Sequence, residues 1–131
     1  MIFGIGVDIT AVKRFEKWVK SPDMISRFFN EKEMIEGKSL SAICQHYAVR
    51  FAAKEAFSKA LGTGISGFKL KDVFITKDEN GKPILNIQDT AEEMLKKRCT
   101  NYKLHVSLSH ESDFAIAYVV IEEIDSDSHW F

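Results

Sequence analysis

Two carboxylates occupy apolar surroundings in which an ionised side chain needs a partner. Asp8 ends the glycine-bearing face of a strand pattern over residues 2–9, and Glu55 lies among small and apolar residues on the longest helical stretch. An isolated buried carboxylate is costly, so each acid has to find a cation or a shifted pKa. Two such acids could bind one hard cation, most naturally Mg²⁺, which prefers oxygen ligands.

Each acid also has a simpler structural interpretation. Asp8 could cap a helix that follows the strand, or pair with a lysine. Glu55 could pair with Lys59, one helical turn further along the chain. The spacing of these residues leaves both interpretations open.

A second group of polar residues ends a predicted strand in the last third of the chain. Ser107, Ser109 and His110 supply hydroxyls and an imidazole that could bind phosphate oxygens or move a proton. The same residues suit a half-exposed strand and its turn. Gly62 and Gly64 could approach a phosphate, although a helix C-cap explains Gly62 equally well and there is no Walker pattern.

A run of cationic side chains crosses the first predicted helices. Its members are Lys13, Arg14, Lys17, Lys20 and Arg27. This basic run could receive an acidic protein surface, or it could be a solvated helix face. In the whole chain, 18 Lys and Arg against 19 Asp and Glu give a net charge of −1, so no global basic field indicates a nucleic-acid partner.

Periodicity and turn signals predict the elements that carry these residues. Strands are predicted over residues 2–9, 73–76, 84–87, 104–109 and 114–121, with Asn80-Gly81 at a hairpin turn. Helices are predicted over residues 11–20, 23–29, 41–61 and 89–98, with a further short helix after Asn30. Thr10 is predicted to cap the first of them, Asn30 together with Glu33 the short one, and Asp89 the last.

Strands and helices do not alternate regularly, which predicts an α+β fold in which a small antiparallel sheet packs against a long central helix and shorter helices. The 131 residues suit one domain over residues 1–124, with a tail over 125–131 that we expect to be disordered. Cys44 and Cys99 form no disulfide framework or metal-ligand spacing. No apolar run is long enough for a membrane span and no signal peptide begins the sequence, so we expect a cytoplasmic protein without a membrane partner.

Several segments, which together span almost the whole chain, resemble the holo-acyl-carrier-protein synthase family, the small 4'-phosphopantetheinyl transferases of bacterial fatty-acid synthesis. The most specific are Gly4-Ile5-Gly6-Val7-Asp8-Ile9 and Arg50-Phe51-Ala52-Ala53-Lys54-Glu55-Ala56 followed by Lys59-Ala60-Leu61-Gly62-Thr63-Gly64. The others are Arg27-Phe28-Phe29-Asn30-Glu31-Lys32-Glu33, Asn80-Gly81-Lys82-Pro83, and Ser107-Leu108-Ser109-His110 with Ala115-Ile116-Ala117. Val49 stands where we expect a glycine, and Asn30 where the family usually has Thr or Ser.

The resemblance implies a reaction in which the serine hydroxyl of an apo acyl carrier protein attacks coenzyme A and 3',5'-ADP departs. It implies that Asp8 and Glu55 are Mg²⁺ ligands and that these two acids, Lys59 and His110 are the catalytic residues. It implies a coenzyme A site formed by Arg50, Lys59, Gly62, Gly64, Lys82, Pro83, Ser109 and His110. It also implies a carrier-protein face with Lys13, Arg14, Lys17 and Arg27, and a homotrimer whose sites lie between adjacent subunits.

Two other functions would use the same residue types. A magnesium-dependent phosphodiesterase needs paired carboxylates, a lysine and a histidine as well. A non-catalytic module could bind coenzyme A or an acidic helix through the basic residues.

Overall fold

Two antiparallel sheets and one long helix form the frame of the computed structural model, which describes residues 1–125. The strands are β1 (Ile2–Ala11), β2 (Val73–Lys77), β3 (Pro83–Ile87), β4 (Tyr102–His110) and β5 (Phe114–Glu123). The α-helices are α1 (Phe15–Trp18), α2 (Pro22–Phe28), α3 (Leu40–Leu61) and α4 (Asp89–Lys96), and 3-10 turns span Val12–Arg14, Glu31–Glu33 and Leu70–Asp72. One sheet has the order β1-β5-β4 and the other pairs β2 with β3, so the α+β prediction is confirmed.

Helix α3 is the central element, and its sequence explains its length. The Ser39 hydroxyl accepts a hydrogen bond from the Ala42 amide at 3.1 Å, and Gly62 ends the helix in the left-handed region at φ 90°. The helix contacts both sheets, which is why fourteen of its residues are buried. The predicted stop at Gly62 is confirmed, and the start lies at Leu40.

The glycines of β1 let this strand lie directly against α3. A Cβ atom at Gly4 would lie 1.8 Å from the Ala60 carbonyl oxygen, and one at Gly6 would lie 1.9 Å from the Ala56 carbonyl oxygen. The space beside these glycines is therefore filled by the helix backbone. Asp8 lies on the same face of the strand, since side chains alternate along β1, so the close contact sets its position relative to α3.

Two predicted caps are wrong. Thr10 does not cap a helix over residues 11–20, because β1 continues to Ala11 and is followed by a 3-10 turn and the four-residue α1. Asp89 does not cap α4 either. The Asp72 carboxylate accepts the Thr90 amide and hydroxyl hydrogen bonds instead, so this helix start is capped from a distant turn.

The capping box at Asn30 is confirmed and extends into a buried network. Asn30 and Glu33 exchange the expected hydrogen bonds, and Glu33 also forms an ion pair with Lys54 of α3 at 2.7 Å. A second Glu33 oxygen accepts the Ile75 amide of β2 at 3.1 Å. This network joins the 3-10 turn, α3 and the second sheet.

The face of the three-stranded sheet that points away from α3 is apolar and exposed, and we call it the outer sheet face. Its large residues are 41–61% exposed: Ile5, Val7, Ile9, Phe114, Ile116 and Tyr118. Residues 126–131, most of the predicted tail, lie outside the described residues. Within residues 1–125, no helix is long and apolar enough to cross a membrane.

Candidate active site

Asp8 and Lys59 form an ion pair where β1 meets α3. The Lys59 ammonium donates to Asp8 Oδ1 at 3.2 Å and to the Val7 carbonyl oxygen at 3.0 Å. The Asp8 side chain is 17% exposed and that of Lys59 is 54% exposed, so the ammonium is open to a ligand. Lys59 therefore pairs with Asp8, and the alternative in which Asp8 caps a helix is wrong.

Glu55 lies one helical turn before Lys59 and within the electrostatic field of Asp8. Burial raises the pKa of the half-buried Glu55 carboxyl, and the Asp8 charge raises it further. Lys59 and Arg14 act in the opposite direction. The structure thus brings both predicted acids and Lys59 into one region, where the two negative charges disfavour each other.

Arg14 lies close to Asp8, Glu55 and Lys59, and its guanidinium group packs against two aromatic rings. Its guanidinium carbon is 5.0 Å from the centroid of the Phe51 ring and 5.4 Å from that of Trp18. These distances are typical of cation–π contacts. The other basic residues predicted for a partner face, Lys13, Lys17 and Arg27, are exposed on the same segment.

Ser109 lies on a different face of the sheet from Asp8. Asp8 is opposite the buried Ala117 of β5, whereas Ser109 is opposite the exposed Ile116. Because side chains alternate along strands, Ser109 belongs to the outer sheet face. His110 is the exposed last residue of β4, one strand further from β1 than β5.

Lys82 and Pro83 lie at the β2–β3 hairpin, away from the β1–α3 contact. The Asp78 carboxylate accepts the amides of Asn80 and Lys82 at 2.8 and 2.9 Å, which orders the turn. The predicted hairpin is confirmed. Lys82 and Pro83 line a cavity of about 450 Å³ between the hairpin and β4.

Arg50 is buried on α3 and keeps an unused hydrogen-bond donor. Its Nη1 donates to the His46 carbonyl oxygen at 3.1 Å, while its Nε has no partner among the described residues. Burial lowers the pKa of Arg50. Of the two predicted glycines, Gly62 is the C-cap of α3 and Gly64 lies exposed in the following turn at φ 66°.

Sequence reasoning missed the contacts of two polar residues, one of which lies at the site. Thr10 donates a hydrogen bond to Asp8 Oδ2 at 2.9 Å, and the spacing of two residues along a strand was the signal for that contact. Lys54 lies within the segment from Arg50 to Ala56, and its burial against Glu33 depends on a contact between distant segments that no local pattern predicts.

The two acids form an oxygen-donor set that suits a hard cation. Mg²⁺ commonly uses one or two protein carboxylates and completes its octahedral shell with water and substrate phosphates. Burial, and then the negative charge of Asp8, raise the pKa of Glu55, and a bound divalent ion would stabilise the ionised carboxylate. No group of three or more His, Cys, Asp or Glu side chains suited to a metal lies within residues 1–125.

Comparison with known proteins identifies the class to which this fold and site belong. Residues 4–119 match the family described as the 4'-phosphopantetheinyl transferase superfamily, so the chain belongs to that superfamily. Its relatives include a holo-[acyl-carrier-protein] synthase of Treponema denticola, 45% identical over 124 residues that cover 93% of this chain and 99% of the relative. The synthase of Clostridium botulinum strain Eklund 17B is 46% identical over 125 residues, 95% of this chain and 100% of the relative.

A solved structure supports the same assignment. The holo-(acyl-carrier-protein) synthase from Bacillus anthracis, crystallised in complex with CoA (3',5'-ADP), superposes with a TM-score of 0.77 at 36% identity, covering 95% of this chain and 99% of that chain. The family resemblance and the fold that it implied are confirmed.

Proposed function

We propose that this chain is a holo-[acyl-carrier-protein] synthase. It transfers the 4'-phosphopantetheine group from coenzyme A to a serine of an apo acyl carrier protein and releases 3',5'-ADP. The observation that carries the proposal is the meeting of Asp8, Glu55 and Lys59 at the β1–α3 contact of a chain that belongs to the phosphopantetheinyl transferase superfamily. The Bacillus anthracis structure with CoA supports the identity of the co-substrate.

The residues of the site suit phosphoryl transfer, which depends mainly on alignment and charge neutralisation. The serine hydroxyl gives up its proton to water, to one of the two carboxylates or to the substrate, and its oxygen forms a bond to the phosphorus that carries pantetheine. The bond from this phosphorus to the departing 3',5'-ADP breaks, and its electron pair leaves on the ADP oxygen. Asp8 and Glu55 would hold Mg²⁺, which would neutralise charge on the diphosphate when bound. Lys59 supplies an exposed ammonium beside Asp8 that can reach a phosphate oxygen.

The arrangement of the other coenzyme A residues favours a site shared between subunits of a homotrimer. Ser109 lies on the outer sheet face, and Lys82 and Pro83 line a cavity at the hairpin. A second subunit that covers the outer sheet face would bring such residues to the first subunit's acids. In this proposal His110 acts in catalysis and also binds coenzyme A. The residues that bind coenzyme A are Arg50, Lys59, Gly62, Gly64, Lys82, Pro83, Ser109 and His110.

Charge complementarity supports a carrier-protein face formed by Lys13, Arg14, Lys17 and Arg27. An acidic surface would be steered to these exposed cations. Arg14 is the one that also lowers the pKa of Glu55, so a carrier docked here would place its serine beside the acids. We further propose that the protein acts in the cytoplasm in fatty-acid synthesis.

The proposal is tested by measuring the intact mass of an apo acyl carrier protein after incubation with the protein, coenzyme A and Mg²⁺. We expect the carrier to gain one phosphopantetheine group, and the gain to be lost with chelator or with Asp8→Ala or Glu55→Ala. Glu93→Ala, which changes an exposed acid on α4, should keep the activity.

The same experiment separates the alternative functions. A phosphodiesterase would release 3',5'-ADP without any carrier, and a binding module would retain coenzyme A without turnover. Full transfer by the Asp8→Ala and Glu55→Ala variants would contradict the metal-ligand assignment.

A further inference from the structure

The buried Thr10 contacts the proposed metal ligand Asp8. It follows Asp8 by two residues on β1, so both side chains lie on the face of the strand that packs against α3. Thr10 is 4% exposed and lies opposite Ala115 of β5. Its hydroxyl donates to Asp8 Oδ2 at 2.9 Å, so a buried donor is satisfied by a carboxylate of the site.

The two oxygens of Asp8 have different partners. Oδ2 accepts the hydrogen bond from Thr10, whereas Oδ1 lies 3.2 Å from the exposed ammonium of Lys59. Thr10 is β-branched, which restricts its χ1 rotamers, and its burial restricts the hydroxyl further. A hydrogen bond from such a fixed donor limits rotation of the carboxylate and keeps Oδ1 on the side where Lys59 is open to solvent.

We propose that Thr10 is a positioning residue that orients Asp8 toward a divalent cation and the diphosphate of coenzyme A. The inference rests on the proposed function, because it assigns Thr10 a role in the same site. Hydrogen bonds to metal-binding side chains fix their orientation, and removing them typically weakens metal affinity or activity about 10- to 100-fold. The hydroxyl, and not the shape of the side chain, carries the role.

The test compares Thr10→Val, which keeps the branched shape without the hydroxyl, with Thr10→Ser, which keeps the hydroxyl. Mn²⁺ is the probe, and electron paramagnetic resonance measures its binding to each variant in the presence of coenzyme A. We expect Thr10→Val to weaken Mn²⁺ binding about tenfold or more and Thr10→Ser to stay within about threefold of the wild type. In turnover, Thr10→Val should raise the Mg²⁺ concentration needed for half-maximal rate without changing KM for the carrier.

Thr90→Val is a matched control, because Thr90 also donates its hydroxyl to a carboxylate, that of Asp72 at the start of α4. This control should lower thermal stability and leave Mn²⁺ binding unchanged. Thermal melts establish that each variant is folded, and Thr10→Ala is used by the same criteria if Thr10→Val unfolds.

Two results would overturn the positioning role. One is wild-type Mn²⁺ affinity in a folded Thr10→Val protein, and the other is an equal loss in Thr10→Val and Thr10→Ser. The proposed function fails separately, if the wild-type protein transfers nothing to an apo carrier. The Mn²⁺ measurement does not depend on that transfer, so the two failures are distinguishable.

Discussion

At Glu55 the fold keeps a carboxylate in surroundings that disfavour its charge. Burial and the neighbouring Asp8 both raise its pKa, and the cations Lys59 and Arg14 compensate only in part. Perturbed carboxyl groups of this kind are typical of functional sites. This unfavourable charge is the physical reason that we expect a divalent cation to bind the pair.

Glu55→Gln is expected to stabilise the metal-free protein and abolish metal-dependent transfer. A raised pKa in the folded state means that ionised Glu55 is destabilising relative to the unfolded chain, an effect that is absent below the unfolded pKa and complete above the folded one. With chelator at about pH 7, the variant should melt above the wild type. The difference should shrink as the pH falls toward about 4.

Glu93→Gln, an exposed substitution on α4, is the control for the melting experiment and should shift the midpoint little. A Glu55→Gln variant that melts lower than the wild type at neutral pH would contradict the description of Glu55 as an electrostatically unfavourable group.

The sequence predicted which residues form the site better than it predicted the residues that contact them. Asp8 and Glu55 stood out because a carboxylate among apolar residues needs compensation, and the structure brings them together. The prediction that Thr10 caps a helix is wrong because a threonine before residues that can form a helix has the local pattern of a helix start. The extension of β1 through Ala11 depends on pairing with β5, which no local pattern contains.

At the scale of elements, the contact between β1 and α3 determines where Asp8 lies. Gly6→Ala should push the strand away from the helix, because the new Cβ would lie 1.9 Å from the Ala56 carbonyl oxygen. We expect a loss of about 2 kcal/mol or more in the free energy of unfolding, as in other overpacked sites. Transfer should also fall in protein that remains folded, since Asp8 moves relative to Glu55.

Gly37→Ala is the control for this substitution. Gly37 has a positive φ of 77° and nothing within 4 Å of an added Cβ, so its replacement tests backbone strain without steric overlap and should cost about 1–2 kcal/mol. Urea unfolding measures both variants. If Gly6→Ala were as stable and as active as the wild type, the close approach of strand and helix would not determine the site.

The buried ion pair between Glu33 and Lys54 fixes α3 against the second sheet. Lys54→Met would leave the Glu33 carboxylate buried with only amide donors, those of Asn30 and Ile75. Removing one partner of a buried pair typically costs about 3–5 kcal/mol, and urea unfolding at about pH 7 should show a loss of that size. The double variant with Glu33→Gln should recover part of it, and an unchanged midpoint for Lys54→Met would contradict the role of the pair.

Distant contacts explain why the sequence predicted elements well and their connections poorly. The capping box at Asn30 is local and was predicted, whereas the cap of α4 comes from Asp72, 18 residues before Thr90. The ion pair between Glu33 and Lys54 spans 21 residues. Helical and strand periodicity carries no information about which segment will supply such a partner.

At the scale of the whole molecule, the outer sheet face is the main unexplained feature of a single chain. The period of two in β1 separates a glycine face from an apolar face, and the natural expectation is that the apolar face enters the core. The structure buries the glycine face against α3 and leaves Ile5, Val7 and Ile9 exposed. Exposed apolar patches of this kind mark interaction surfaces, and the proposed homotrimer would cover this one.

A mixing experiment tests whether neighbouring subunits share a site across the outer sheet face. Asp8→Ala removes a proposed metal ligand, and Ser109→Asp puts a negative charge where a coenzyme A phosphate is proposed to bind, so each variant alone should be inactive. Refolded together in equal amounts, they should regain about a quarter of the wild-type activity, because random assembly pairs an intact Asp8 with an intact Ser109 at about a quarter of the interfaces.

Mixing Asp8→Ala with Glu55→Ala is the matched control, since both acids belong to the same half of the site and no hybrid interface can restore it. Light scattering should show the same oligomer for each variant and mixture. A monomeric wild-type protein, or hybrids that form without regaining activity, would contradict the shared site. Recovery in the first mixture alone would mean that the acids at the β1–α3 contact and the hydroxyl on the outer sheet face act on one substrate from two chains.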